Sequence, residues 1–510
     1  MGRFLRFAVP WPRSCSLAAV LLVSAADRGR AGPADPPRLE ASDRETLRQY
    51  GRETWRSFEA MALPGGLPAD GLRLGGDGVW RPTEKTSPTD IAAYLWSNLA
   101  AEELRLIEPA EAGRRLERTL AAVALLERSH GFFFDRFDPR TGAPLKAAPG
   151  GAKPIRPLLS AVDNGWLAAA LIMVRNTRPA LRERAEGLLK PMDFAFFYEP
   201  YDPADPVKHP GQLHGTYRPD ERSFGTLHGL VNTEPRIASY IGIARGQLPR
   251  EHYYRIHRTG RPGGGTKQRQ EPHGESRTYL GVEVFEGHYE YRGMRIVPSW
   301  GGSMFEALMV PLFVPEARWA PRSWGVNHPL YVRAQVEHGL DEARYGFWGF
   351  SPACKPGGGY RTYGVDALGV DPKGYTSNDG DVPAGAGKGP NDFVGGVVTP
   401  HASFLALAFA PREAMSNLRA LADKFPIYGP YGFRDSVNLS TGKVSDCVLA
   451  LDQGMIMAAI ANALADDGMH HAFADGPVEA AIRPLIAPEE FTAGAPRADD
   501  ADRGAPRSPR

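Results

Sequence analysis

The chain has 510 residues, of which 42% are hydrophobic and 23% are charged, as in ordinary soluble globular proteins. Its 60 Lys and Arg residues nearly balance its 59 Asp and Glu residues, and the basic residues are scattered along the chain. Nucleic acid is therefore not expected as a partner, because phosphate binding needs a concentrated basic face. No stretch approaches the 18 continuous apolar residues of a membrane helix, so membrane insertion is not expected either.

The N-terminus has the shape of a secretory signal. Arg3, Arg6 and Arg13 precede a short apolar stretch at 15–26, and small residues follow. This pattern predicts a signal peptide and leader at 1–34 and a periplasmic or secreted mature protein.

The two cysteines beyond the predicted signal are Cys354 and Cys447. They can pair in an oxidising compartment, but the sequence does not give the distance between them. Two cysteines in so long a chain form neither a disulfide scaffold nor a metal site.

Apolar periodicity predicts helices that follow one another in pairs. After a first helix at 43–63, the pairs are predicted at 86–107 with 110–128, 160–174 with 179–192, a helix at 232–246, 303–313 with 328–339, 401–409 with 411–425, and 448–464 with 478–486. Between them, alternation at 278–296 predicts a β-hairpin that turns near 286–287. About six helix pairs fit an all-α, closed (α/α)6 toroid in one domain at 40–488, with long loops over its cleft and a disordered tail at 489–510.

Acidic residues recur near the predicted starts of the first helix of several pairs. They are Asp90, Asp163, Glu234, Glu306 and Asp452. In a toroid the inner helices run parallel, so these carboxylates are expected to converge on one concave end. Converging acids, aromatic residues in loops and export together favour glycoside hydrolysis, which needs two carboxyl groups across the bond.

Five motifs, in this order, make the chain recognisable. They are TSPTDIAAYLWSNLAAEELRLI, LLSAVDNGWLAAALI, NTEPRIASYIGIARGQLPREHY, SWGGSMFEALMVPLF and YGFRDSVNL followed by LALDQGMIMAAIANAL. Together they resemble the glycoamylase-like domain of bacterial endo-β-1,2-glucanases and of the transglycosylating domain of cyclic β-1,2-glucan synthases. The resemblance spans about residues 80–466 and implies an (α/α)6 barrel with no cofactor or metal requirement.

The resemblance also suggests catalytic roles. Glu234 is expected to be the general acid, Glu306 a nucleophile or base as in the synthase-type branch, and Asp163 a base or a substrate contact. The glucanase pattern often has a further Asp three residues before Asp163, where this chain has Ser160. The alternative for all three is a purely structural role. Asp163 and Glu306 each follow a Ser by three residues, as in a helix-capping pair, and Glu234 fits a capping role in the first turn.

Other residues are predicted to contact an oligo- or polysaccharide substrate. These are Asp90, Asp452 and Asp381, with Trp166, Trp300 and Trp348 as stacking platforms, although a buried Trp is usually part of the core. The histidines at 209, 214 and 228 lack tight ligand spacing, so no metal site is expected there.

The predicted function is hydrolysis of a bacterial β-glucan, most simply β-1,2-glucan. Three alternatives stay open: a transglycosylase on the same glucan, a polysaccharide lyase using Arg236, Arg250 and Tyr253, and a glycan-binding envelope protein without activity. The sequence does not decide between retention and inversion, which depends on whether the carboxyls lie about 5–5.5 Å or about 6.5–9.5 Å apart.

Overall fold

A computed structural model describes residues 39–147, 154–263, 267–379 and 393–495. All of them belong to one compact unit, residues 35–510. The predicted signal peptide lies outside the described residues. In the described part of the chain, no helix combines the length and the apolar character needed to cross a membrane.

The described residues form fifteen α-helices. In chain order, α1 to α15 are Ala41–Met61, Pro88–Glu103, Pro109–Val123, Ala161–Thr177, Arg182–Leu189, Arg236–Ala244, Glu251–Arg255, Met304–Leu308, Glu316–Trp319, Trp324–Glu337, Pro400–Leu405, Pro411–Lys424, Ala450–Leu464, Gly468–Ala474 and Pro477–Ile486.

Short strands fill the connections between the helices. In chain order, β1 to β19 are Gly71–Leu74, Trp80–Pro82, Arg128–Ser129, Phe132–Phe133, Leu159–Ser160, Tyr198–Tyr201, Pro210–Leu213, Thr216–Arg218, Ser223–Phe224, His273–Tyr279, Val282–Tyr291, Met294–Ile296, Ala353–Cys354, Tyr360–Arg361, Val397–Val398, Tyr428–Gly429, Gly432–Phe433, Val437–Asn438 and Cys447–Leu449. Their pairings are all antiparallel and form eight sheets of two or three strands. None of these sheets spans the molecule.

Six helices form an inner ring, in the order α2, α4, α6, α8, α11 and α13, and α13 packs back on α2. Between α6 and α8, the contact includes hydrogen bonds from Arg236 to the carbonyls of Glu306 and Ala307. The inner helices are buried on nearly all sides: in α2 all but its last two residues are buried, whereas the outer helix α3 buries a single stripe. This is the (α/α)6 toroid that the helix pairs predicted.

The ring closes differently from the prediction at its last pair. The helix predicted at 478–486 is α15, which packs against α6 and not beside α13. The outer partner of α13 is α1, whose buried side chains include Leu47, Tyr50 and Phe58. The first helix of the described chain therefore completes the last pair of the ring.

The predicted hairpin exists, but its turn was placed wrongly. Glu286 and Gly287 lie inside β11, opposite β10, and the chain turns at Leu280–Gly281 instead. Both turn residues have positive φ, 47° and 75°, as the tightest hairpin turns require. A second turn of the same kind, at 292–293, leads to β12.

The predicted disordered tail begins too early at 489. Glu489 is fully buried, where it accepts hydrogen bonds from Arg258 and from the Tyr253 hydroxyl. Phe491 packs edge-on against Trp324. The chain therefore remains part of the packed unit up to residue 495, and residues 496–510 lie outside the described part.

Cys354 and Cys447 form a disulfide that closes a loop with a sequence separation of 93 residues. Removing it with Cys354→Ala and Cys447→Ala together is expected to lower the free energy of unfolding by about 2–4 kcal/mol, because the cross-link limits the unfolded chain. Urea unfolding of the oxidised wild type, the reduced wild type and the double variant measures this. Reduced wild type and double variant should agree, and equal stability of all three would contradict the expectation.

Candidate active site

One end of the inner ring opens into a cavity of about 810 Å³. The starts of α2, α4 and α13 and the segment before α6 reach its wall. Its acidic lining residues are Asp70, Glu84, Asp90, Asp135, Asp163, Glu234 and Asp452. Four of the five carboxylates that were predicted to converge at one end of the toroid therefore line this cavity. The exception is Glu306.

Glu234 lies in the cavity wall, two residues before α6. The sequence predicted it in the first turn of this helix, but it lies outside that turn. Pro235 stands at the helix N-cap position, so the helix begins only at Arg236. Burial, the charge of Glu306 and that of Asp163 raise the pKa of Glu234 to about 8. Its carboxyl group therefore holds a proton at neutral pH, the state that a general acid needs.

Asp163 occupies the first turn of α4 and also lines the cavity. Ser160 caps this helix by accepting a hydrogen bond from the Asp163 amide, but the Asp163 carboxylate does not complete a capping box. That carboxylate instead accepts a hydrogen bond of 2.5 Å from the Thr89 hydroxyl. The capping role is therefore carried by the backbone and by Ser160, and the charge of the Asp163 carboxylate contributes to the raised pKa of Glu234.

Glu306 is held as a helix cap. Its buried carboxylate accepts hydrogen bonds from the Ser299 hydroxyl at 2.7 Å, the Gly301 amide at 3.0 Å and the Ser303 amide at 3.2 Å. It is absent from the residues that line the cavity. Burial raises the pKa of Glu306, while these hydrogen bonds oppose the rise. Its predicted nucleophilic role stays a prediction.

Asp90 both caps α2 and lines the cavity. Its carboxylate accepts hydrogen bonds from the Ser87 amide at 2.9 Å and the Ser87 hydroxyl at 2.7 Å. Burial and the charge of Asp70 nevertheless raise its pKa to about 7. Its role in substrate contact is neither supported nor contradicted by this geometry.

Asp452 is buried in the first turn of α13 and lines the same cavity. Burial, then the charges of Asp435 and Asp90, raise its pKa well above the ordinary value. A carboxylate oxygen lies 3.4 Å from Nδ1 of His401, whose pKa burial lowers to about 3. Burial therefore disfavours the charged form of both groups.

The predicted tryptophan platforms separate into three environments. Trp166 borders the cavity but is buried and packs against Trp96 and Phe313. Trp348 is buried in the core and does not line the cavity, and Trp300 is 46% exposed but also lies outside the lining. Asp381 lies outside the described residues.

The sequence analysis did not predict three acidic residues of the cavity lining, Asp70, Glu84 and Asp135, or Asp435, whose charge acts on Asp452. Burial raises the pKa of the cavity-lining Asp135 to about 6 and that of Asp435, behind Asp452, to about 7. They begin two equivalent turns, 135–143 and 435–443. The residue three positions after each of these aspartates, Asp138 or Asn438, has a side-chain oxygen that accepts two hydrogen bonds. The donors are the backbone amides two and three positions after that residue. The shared spacing, Asp followed six residues later by Thr-Gly, is a sequence signal that identifies both.

Each basic residue of the described cavity lining is already paired. The pairs are Lys85 with Asp70 at 2.8 Å, Arg73 with Asp446 at 3.1 Å, Arg81 with Asp77 at 2.5 Å and Arg136 with Asp135 at 3.0 Å. A bound anion would have to compete with these carboxylates. The cavity is thus better suited to a neutral, hydroxyl-rich molecule than to an acidic one.

Two groups of residues in the described chain bring potential metal ligands near one another. His209 and His214 both contact Glu199, with nitrogen–oxygen distances of 2.5 and 3.3 Å, but these ligand atoms do not form a compact set. In the described residues, Cys354, Cys447 and Asp435 do lie within 4.8 Å of one another. Their two sulfur atoms are bonded to each other, so they are not thiolate ligands.

A buried ion pair connects the Glu234 segment to the rest of the ring. Arg236 donates to both carboxylate oxygens of Glu316, at 2.8 and 2.9 Å, and to the carbonyl of Thr233, next to Glu234, at 2.9 Å. The Tyr240 hydroxyl donates to the same carboxylate at 2.7 Å. Burial alone would raise the pKa of Glu316, but Arg236 and His328 outweigh it and lower the pKa to about 2. Arg236 thereby fixes the backbone that carries Glu234.

Comparison with known proteins supports the same fold. The Glycoamylase family model, described as "Putative glucoamylase", matches residues 276–476. The cyclic β-(1,2)-glucan synthase NdvB of Rhizobium meliloti is 28% identical over an alignment of 339 positions that covers 62% of this chain. The match spans only 10% of the length of NdvB.

Two solved structures are similar over most of the chain. The endo-β-1,2-glucanase of Chitinophaga pinensis, solved with sophorotriose and glucose, has a TM-score of 0.59 at 16% identity, covering 87% of this chain and 98% of that one. The β-1,2-glucanase of Parabacteroides distasonis has a TM-score of 0.63 at 15% identity, covering 88% of this chain and 61% of that one. The chain therefore has the (α/α)6 toroid fold of these enzymes, and the resemblance to the glycoamylase-like domain family that the five motifs predicted is confirmed.

Proposed function

We propose that this protein is a glycoside hydrolase that cleaves β-1,2-glucan, with Glu234 as the general acid. The observation that carries the proposal is a carboxyl group with a pKa of about 8 in the wall of a large acidic cavity. Protonation of the glycosidic oxygen needs such a group, because an ordinary carboxyl is ionised at neutral pH.

Asp163 is the better second carboxylate. It lines the same cavity as Glu234, and its only side-chain hydrogen bond in the described residues comes from Thr89. The Glu306 carboxylate is instead occupied by three donors outside the cavity lining. A nucleophile or base must reach the sugar or its attacking water, which favours Asp163.

The choice of substrate follows from charge and from the similar proteins. The paired basic residues leave no cation in the described lining to neutralise a uronic acid, which speaks against the polysaccharide lyase. Of the residues suggested for that alternative, Arg236 is buried in its ion pair and Tyr253 is buried against Glu489. A neutral glucan fits better, and NdvB and the two glucanases compared above are named for β-1,2-glucan.

The direct test is incubation of the protein with linear β-1,2-glucan, followed by chromatography of the products. Short glucan oligosaccharides with new reducing ends are expected. Binding of the glucan without any product would support the inactive glycan-binding alternative. Neither binding nor product would overturn the substrate, and a panel of other neutral bacterial glucans would then be tested.

Transglycosylation is the second candidate, because the curated relative NdvB, 28% identical to this chain, is named as a glucan synthase. Both reactions begin with the same protonation, and they differ in whether water or a sugar hydroxyl accepts the glucosyl group. Counting reducing ends separates them. Hydrolysis increases their number with every cleavage, whereas transfer keeps it constant, also on cyclisation, because one glycosidic bond forms for each bond broken.

The pH dependence of the proposed reaction follows from Glu234. Its acid role requires the protonated form, which is present below the pKa of about 8 and lost above it. We therefore expect kcat/KM on β-1,2-glucan to fall tenfold per pH unit above about pH 8. Rates from pH 5 to 10, with the protein's folding checked by circular dichroism at each pH, measure this. Activity that declines already above pH 5 would assign the acid role to a different group.

We also propose that the protein acts outside the cytoplasm. The signal-like N-terminus motivates this, and the disulfide adds support because such bonds persist mainly in oxidising compartments. N-terminal sequencing of the protein from cell fractions tests it. A cytoplasmic protein that keeps residues 1–34 would contradict it.

A further inference from the structure

Tyr360 is an unusual aromatic residue in the cavity. Its side chain is 59% exposed, more than Trp300 at 46% or Tyr201 at 40%, yet it belongs to the cavity lining. No ring contact or side-chain hydrogen bond of Tyr360 occurs within the described ranges. Enclosure by the cavity, followed by the charges of Asp452 and other carboxylates, raises the pKa of its hydroxyl, so the ring lies among the acids. A large ring is therefore kept accessible and uncovered.

The backbone of Tyr360 is fixed on both sides. In the β13–β14 hairpin it pairs directly with Cys354, which the disulfide ties to β19. The Cys354 amide also donates to the Asp435 carboxylate, at 3.2 Å. On the other side, Arg361 donates to the carbonyl of Asp379 at 3.0 Å. Both strands of the hairpin that carries Tyr360 are therefore tied to neighbouring elements by these bonds.

We propose that the ring of Tyr360 is a stacking platform for one glucosyl unit bound beside Glu234, and that the disulfide holds this platform in place. The inference rests on the proposed function, since it assigns a binding residue to the same cavity. An aromatic ring has a large apolar face that can cover the C–H face of a sugar. A fixed platform also costs less conformational entropy on binding than a mobile one.

The test is calorimetric titration with a linear β-1,2-gluco-oligosaccharide, in full-length protein carrying Glu234→Gln so that the sugar is not consumed. Adding Tyr360→Ala is expected to raise Kd about tenfold, whereas Tyr360→Phe, which keeps the ring, should stay within about twofold. Tyr201→Ala, at an exposed tyrosine outside the cavity lining, is the matched control and should leave Kd unchanged. Circular dichroism verifies that each variant is folded.

The role of the disulfide is tested by combining substitutions. Cys354→Ala with Cys447→Ala should weaken binding when Tyr360 is present and should add nothing when Tyr360 is already Ala, because both changes remove the same contact. Equal weakening in both backgrounds would show that the disulfide acts through some other part of the site. That result overturns the second half of the proposal and leaves the titration of Tyr360→Ala to decide the first.

The outcomes separate this inference from the proposed reaction. If the wild type cleaves the glucan but Tyr360→Ala binds as tightly as its parent, or Tyr360→Phe binds as weakly as Tyr360→Ala, the stacking platform is overturned alone. If the oligosaccharide binds but the wild type does not cleave it, the reaction is overturned while the titration still decides the role of Tyr360. Absence of both binding and cleavage overturns both.

Discussion

Glu234→Gln is expected to lower kcat on β-1,2-glucan by about 10²–10⁴-fold, with a much smaller change in KM. Glutamine has nearly the shape of a protonated glutamic acid and can still donate a hydrogen bond, so the cavity wall should be preserved. It has no acidic proton to transfer to the leaving oxygen. Initial rates from the release of reducing ends measure the effect.

The matched control is Glu84→Gln. This glutamate also lines the cavity but is exposed, so the same chemical change is made without removing a buried proton. Its kcat should remain within about threefold of the wild type. An aryl glucoside with an acidic leaving group adds a sharper comparison, because such a group departs without protonation. Glu234→Gln should cleave it nearly as fast as the wild type, and an equal loss on both substrates would contradict the acid role.

Glu316→Ala is expected to lower the free energy of unfolding by about 3–5 kcal/mol. The substitution removes the partner of Arg236 and leaves a fully buried guanidinium without its counter-charge. It also removes the acceptor of the Tyr240 hydroxyl and of His328. Urea unfolding followed by circular dichroism measures the loss.

The control for Glu316→Ala is Glu117→Ala, which breaks the exposed pair with Arg184. Exposed pairs contribute little, so this change should stay within about 1 kcal/mol. Since Arg236 also bonds the carbonyl next to Glu234, Glu316→Ala should lower kcat in the fraction that remains folded. A stability loss equal to that of Glu117→Ala would show that the ion pair is not a principal support of the ring.

The first residues of several helices could be predicted from the sequence, because a serine cap is a signal that lies within the helix start itself. Ser87, Ser160 and Ser303 each cap the helix that the sequence assigned to them. Glu234 was placed one turn too far inside its helix, since a Glu-Pro pair fits either the cap or the first turn. The hairpin turn was missed because Leu280–Gly281 adopts positive φ at both positions, and leucine gives no signal for that conformation.

The acidic cavity was predictable in outline, but the function of each acid was not. Periodicity places Asp90, Asp163 and Glu306 at equivalent helix positions, yet the contacts that each side chain makes in the folded structure decide which carboxylates are free. Ser299 and Gly301 occupy Glu306, whereas Thr89 binds Asp163 from another helix. Packing between helices, which periodicity does not encode, also decides that Trp348 is buried and Tyr360 is not.

The closure of the ring by α1 and α13 has a consequence for synthesis of the chain. The apolar face of α1 is made about 400 residues before its partner helix. At about 5–20 residues per second, that face waits roughly 20–80 s for its native contact. Until α13 has been synthesised, the ring of inner helices cannot close, and the acidic residues cannot all line one cavity. Successful folding therefore depends on keeping the side chains of α1, among them Leu47 and Phe58, from aggregating during that interval.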